Sequence, residues 1–324
     1  MILSKNREHD EYSLIQRPEH IEAVWNKIEA ALPKYWTAFI QREAAKRPAS
    51  ELARHFGSAS AAPENASVLA ESFARAIQAY EKSALKYRDF FDPDAMEEYG
   101  DDPNTFKRNI AKDVPVIAGT LNQRRPELQE WQQSFRGAKG IDLLEVFSNV
   151  LDFREEWMEQ HCEAEYANLD EVTKFELDPL DSDEKMTLTN VIGMGIKSIV
   201  LYHLDASRLP QRARLDLYGL YFLSGMETFG LPSRSSEFLM INDREPASNG
   251  SMIMEHNFWY PYSLFSLYAL RLYRWMDRQM REAESGLDPQ VRYVFVTYFL
   301  SEVCSEHVEH MKVMRAHDRF EVPS

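Results

Sequence analysis

Apolar residues recur three and four apart along most of the chain. In "HIEAVWNKIEAALPKYWTAFI" they fall at Ile21, Val24, Trp25, Ile28, Leu32, Trp36 and Phe39, a spacing that predicts a helix with one apolar stripe. Pro33 lacks the N–H an interior turn uses, so a kink or split is expected there. Residues 57–67, "GSASAAPENAS", read as a loop closing on a helix cap at Asn65 or Ser67. A second long helix is expected through Phe73, Ile77 and Tyr80 to about Tyr87. Turn formers then interrupt the pattern in "FFDPDAMEEYGDDPN" and again in "RGAKG" at 136–140. This places a boundary between an N-terminal helical lobe, 1–140, and a C-terminal one, 141–324.

Beyond the boundary, "IDLLEVFSNVLDFREEWMEQHCEAEY" carries an apolar stripe through Leu144, Phe147, Leu151 and Trp157. "LFSLYALRLYRWMDRQM" and "VRYVFVTYFLSEVCSEHVEHMKVMRAH" predict two further helices. Only "EFLMIN" at 237–242 is strand-like. The expected fold class is therefore mainly α-helical, an irregular multi-helix arrangement with little or no sheet.

Composition narrows the class. With 324 residues and 44% apolar content the chain can bury a sizeable core. No window is apolar enough to span a membrane, and the start lacks a cleavable apolar leader, which points to a soluble cytoplasmic protein. Cys162 and Cys304 show no CxxC pairing. Neither a dinucleotide fingerprint, a phosphate loop nor a nucleophile elbow is present, so no cofactor is expected.

The net charge of −15 opposes a general nucleic-acid coat. Its distribution is uneven. Ile141 to Lys185 hold fifteen Asp or Glu, among them Glu155, Glu156, Glu159, Glu163 and Glu165, against Arg154, Lys174 and Lys185, a balance of −12. This segment reads as a solvated helix side, as a docking surface for a basic protein partner, or as a site that collects divalent cations, although no DxDxDG-type loop spaces its carboxylates for calcium.

Residues 190–204, "NVIGMGIKSIVLYHL", place Gly193 and Gly195 inside an apolar run. Glycine costs roughly 1 kcal/mol in a helix interior, so the pair marks a turn. The helix that follows would turn its free N–H groups and positive end toward an anion. The order Ile192, Gly193, Met194, Gly195, Ile196, Lys197, Ser198 resembles the hairpin of helix-hairpin-helix DNA-binding modules. That resemblance implies phosphate contact at Gly193, Gly195, Lys197 and Ser198, with nucleic acid as the partner. In the DNA glycosylases of that superfamily a lysine at the place of Lys197 is the nucleophile, and Asp216 stands near the place of their aspartate, which implies a base-excision or lyase-type enzyme. A competing reading is a core corner whose glycines permit close helix approach.

Arg271, Arg274, Arg278 and Arg281, spaced three, four and three, fall on one side of a helix whose other side carries Phe265, Tyr268, Leu272, Trp275 and Met276. They read as a phosphate track or as a face neutralised by the acidic helix. Cys304, His307 and His310, with His317 below, have a spacing that can touch one ion, but His307 shares the apolar stripe and no metal site is expected. The expected function is a helical binding or accessory protein for a phosphate-bearing partner. An enzyme using Lys197 and Asp216, and a protein-interaction subunit using the acidic segment, stand beside it.

Overall fold

The computed structural model describes residues 11–47, 61–125, 128–242, 253–282 and 285–314. Helices α1 (Pro18–Ala45) and α2 (Ala61–Phe90) come first. The shorter α3 (Pro93–Asp101), α4 (Pro103–Asp113), α5 (Pro115–Asn122) and α6 (Gln129–Gly137) follow, then α7 (Gly140–Gln160) and the single turns α8 (Glu163–Tyr166) and α9 (Asp178–Ser182). The rest comprises α10 (Met194–Leu204), α11 (Arg214–Leu223), strands β1 (Leu239–Asn242) and β2 (Ile253–His256), α12 (Tyr262–Glu282), α13 (Arg292–Ser305) and α14 (Val308–Met314). The strands pair antiparallel, with Leu239 opposite His256. The fold is mainly α-helical, and among the described residues no helix is long and apolar enough to cross a membrane.

Local chemistry sets several of these boundaries. Helices α3, α4 and α5 each begin on a proline, which is harmless in a first turn whose N–H groups have no intrahelical partner. Asp92 and Asp102 cap two of them, accepting from Asp94 N and Thr105 N, both at 3.1 Å. "FFDPDAMEEYGDDPN" is thus punctuated helix rather than loop.

Three expectations need correction. Helix α1 is not split at Pro33, because the proline is exposed and the carbonyl it leaves unpaired can bond water. Helix α2 starts at Ala61, ahead of Asn65 and Ser67, since Pro63 falls in its first turn. The last expected helix is two, broken where His307 N bonds the Cys304 carbonyl at 2.9 Å. His317 and residues 243–251 of the long serine-bearing loop lie outside the described residues.

Two apolar cores form. The larger joins Ile28, Trp36 and Phe39 of α1 and Phe73 of α2 to Trp157, Tyr268, Trp275 and Phe299. The smaller gathers Tyr87, Phe106, Ile110, Phe147, Ile192 and Val200. Helices α2 and α7 feed both, so the cores do not part at 136–140. There Gly140 lets α7 abut the start of α4, where a Cβ would collide with the Pro103 carbonyl.

Candidate functional site

The glycine turn is an exposed helix start. Gly193 is extended (φ −109°, ψ −177°) and α10 begins at Met194. Upstream stands a tight turn bridged between Leu188 and Ile192, with Asn190 at φ 62°, after a 3₁₀ turn at Glu184–Met186. Both glycines are exposed, and a Cβ on either would meet nothing within 4 Å. The close-approach reading therefore fails, because no helix presses on them.

Lys197 and Ser198 face the other way. Lys197 is 1% exposed, and its ammonium donates to the Leu180 carbonyl and, at 3.0 Å, to Thr187 Oγ1. Burial pushes its pKa down to about 8, against the opposing pull of Asp181. Ser198 Oγ accepts from Arg212 N at 3.1 Å. Asp216 is equally buried and closes the first turn of α11, its Oδ2 accepting from Ala213 N at 2.9 Å and Gln211 Nε2 at 3.2 Å. Burial raises its pKa to about 7. Among the described residues no hydrogen bond or ion pair joins Lys197 to Asp216.

The four arginines do not share one open face. Arg271 is buried, with Nε 3.0 Å from Asp170 Oδ1, Nη2 2.7 Å from Glu22 Oε1 and its plane over Trp25. Arg274 donates to the Ala167 carbonyl at 2.6 and 3.0 Å and to the Leu169 carbonyl at 2.7 Å. Arg278 and Arg281 are exposed, and Arg281 pairs with Asp277 at 2.6 Å. The physical reason is the segment after α8, which folds across the first half of α12 and uses its cations as anchors.

On the last helices, Cys304 Sγ bonds the Leu215 carbonyl at 3.3 Å. His307 Nε2 lies 2.7 Å from the Tyr35 hydroxyl, its ring stacked on Phe222 at 4.0 Å. His310 sets its ring edge-on to Tyr221 and Phe222. Among the described residues no three His, Cys, Asp or Glu groups are placed to hold a metal ion.

The acidic helix is different in kind. Its apolar stripe, Leu143, Leu144, Phe147, Val150 and Trp157, is buried. Glu145, Asp152, Glu156 and Glu159 are exposed and spaced seven, four and three, which sets them in one row down the opposite side. Glu155 stands beside the row. None of the five forms an ion pair with a described residue, and no basic residue occupies the last turn. Arg208 caps this end by donating to the Met158 carbonyl at 3.1 Å and to the His161 carbonyl.

A second feature had no signature in the sequence. Helices α2, α10 and α13 enclose an open cleft of about 430 Å³ lined by Arg75, Tyr80, Ser83, His203, Thr297 and Ser301 among others. His203 stacks on Tyr87 at 4.1 Å and on Tyr80 at 5.8 Å. Its Nδ1 lies 2.7 Å from the Ile199 carbonyl and its Nε2 3.1 Å from Ser83 Oγ. A carbonyl can only accept, so Nδ1 carries the hydrogen and Nε2 is the acceptor for the serine hydroxyl. Desolvation holds the imidazole below its ordinary pKa, opposed by the Ile199 bond and aided by Arg88, which keeps it neutral.

No protein-family model, curated protein or solved structure matches the chain.

Proposed function

We propose that the chain is a helical binding or accessory protein that docks a cationic protein segment, rich in lysine and arginine, on the outward face of α7. One observation carries the reading. Asp152, Glu155, Glu156 and Glu159 are stacked at three- and four-residue spacing with no ion pair among the described residues, and each like-charged pair of that kind costs a helix roughly 0.2–0.5 kcal/mol. Stability alone would place lysine or arginine among them. A partner that supplies the missing cations converts this repulsion into attraction and speeds encounter.

A second reading, contact with a phosphate-bearing partner such as nucleic acid, is favoured by the exposed, uncovered helix start at Gly193 and Gly195. It lacks the ammonium of Lys197, which is bound inside. A single titration separates the two: a labelled Lys/Arg-rich peptide and a labelled DNA or RNA strand, each at low and raised salt. Peptide binding that weakens with salt, with no nucleic-acid binding, is the expected result. Nucleic-acid binding without peptide binding reverses the assignment.

A further inference from the structure

The cleft between α2, α10 and α13 holds a Ser–His pair that the docking reading does not use. We propose that Ser83 is an acyl-accepting nucleophile with His203 as its general base, acting on a carboxylic ester small enough for the cleft.

The geometry has the order such a pair requires. Ser83 Oγ is 3.1 Å from Nε2, and the far nitrogen is fixed by the Ile199 carbonyl at 2.7 Å, so the base is oriented by a third group, as nucleophile–base pairs are. Stacking on Tyr80 and Tyr87 prevents the ring from turning. Ser83 is partly accessible and opens on a shallow cleft of about 430 Å³ that is more open to solvent than enclosed. Aromatic walls from Tyr80, Tyr202 and Tyr298 suit an apolar acyl or alcohol group.

In the step, Oγ attacks the ester carbon as its proton passes to His203 Nε2. The carbon–oxygen bond to the alcohol breaks, and the departing oxygen takes that proton. Water then attacks the acyl-serine by the same route, releasing the acid and restoring the hydroxyl. Ser83 is interior to α2, where backbone N–H groups bond the preceding turn. The developing oxyanion must therefore use a side-chain donor of the cleft; the Ser301 hydroxyl lines it, whereas Arg75 is engaged by Glu43 and Ser72, and the turnover expected is slow.

The test is p-nitrophenyl acetate added to the full chain, with release of nitrophenolate followed by absorbance and the acetylated residue located by peptide mass spectrometry. The expected result is acetylation of Ser83, abolished in Ser83→Ala and slowed about tenfold or more in His203→Gln. Ser83→Ala places a better helix former at a half-buried site, and melting curves of both variants report whether they fold. Absence of acetylation at Ser83 in the folded wild type overturns the proposal. So does acetylation at an undiminished rate in a folded His203→Gln chain, which would leave the histidine without a role.

Discussion

Arg271 Nε lies 3.0 Å from the Asp170 carboxylate across 101 residues of chain, and this contact ties the start of the C-terminal helices to the acidic segment. Arg271 has 9% side-chain exposure while its partners Glu22 and Asp170 have 53% and 63%. Solvent screening keeps the pair terms small, and the stabilisation comes mainly from filling a buried site against Trp25, although Nη1 is buried with no hydrogen-bond partner among the described residues. Arg271→Ala should cost roughly 1–3 kcal/mol, whereas Arg278→Ala, at an exposed position, should stay within about 0.5 kcal/mol. Denaturant melts of the two variants check this, and equal effects would contradict the unequal burial.

Lys197 makes stability rise with alkaline pH. Its pKa is about 8 folded against 10.5 for a free lysine, so between those values the unfolded chain holds the extra proton. Stability is therefore gained as pH climbs from about 8 to 10.5, by up to about 3 kcal/mol. In Lys197→Met this increment should vanish. An unchanged alkaline profile in the variant would place the lysine in water.

Asp216 acts with the opposite slope. Folded it titrates near 7, against 3.8 for a free aspartate, so between about 4 and 7 the folded chain retains a proton the unfolded chain has lost. Stability should fall across that window by a few kcal/mol, on the order of one per pKa unit. Asp216→Asn keeps an oxygen for the Ala213 N–H and should flatten the fall. Melting temperatures from pH 4 to 8 supply the comparison.

Periodicity alone reveals the helices, because an apolar stripe such as Ile21 to Phe39 determines its own buried side. It also exposes the acidic row of α7, since spacing and exposure coincide there. It does not reveal which polar stripe is later covered. Arg271 and Arg274 occupy polar positions by spacing, yet Glu22 and residues 167–170 reach them from distant parts of the chain. Strand β2 was illegible because its partner is needed to define it. Ser83 and His203 are separated by 120 residues, so no local motif announces their contact.

Gly195 sits in the first turn of α10 with open space where a side chain would stand. Alanine there should raise stability by about 0.5–1 kcal/mol through a stiffer unfolded chain and better helix propensity. A loss instead would reveal a contact at the turn that the free chain does not show.

The acidic face of α7 is tested most directly by charge reversal at two matched places. Glu155→Lys with Glu156→Lys and Glu159→Lys changes the face, while Glu97→Lys with Glu98→Lys and Asp101→Lys makes the same change at exposed positions of α3. Affinity for a labelled Lys/Arg-rich peptide, measured at one salt concentration, should fall about tenfold or more for the first set, a loss of about 1.4 kcal/mol, and stay near the wild-type value for the second. Equal losses at both places would mean that the peptide senses only net charge, and would contradict a docking site on α7.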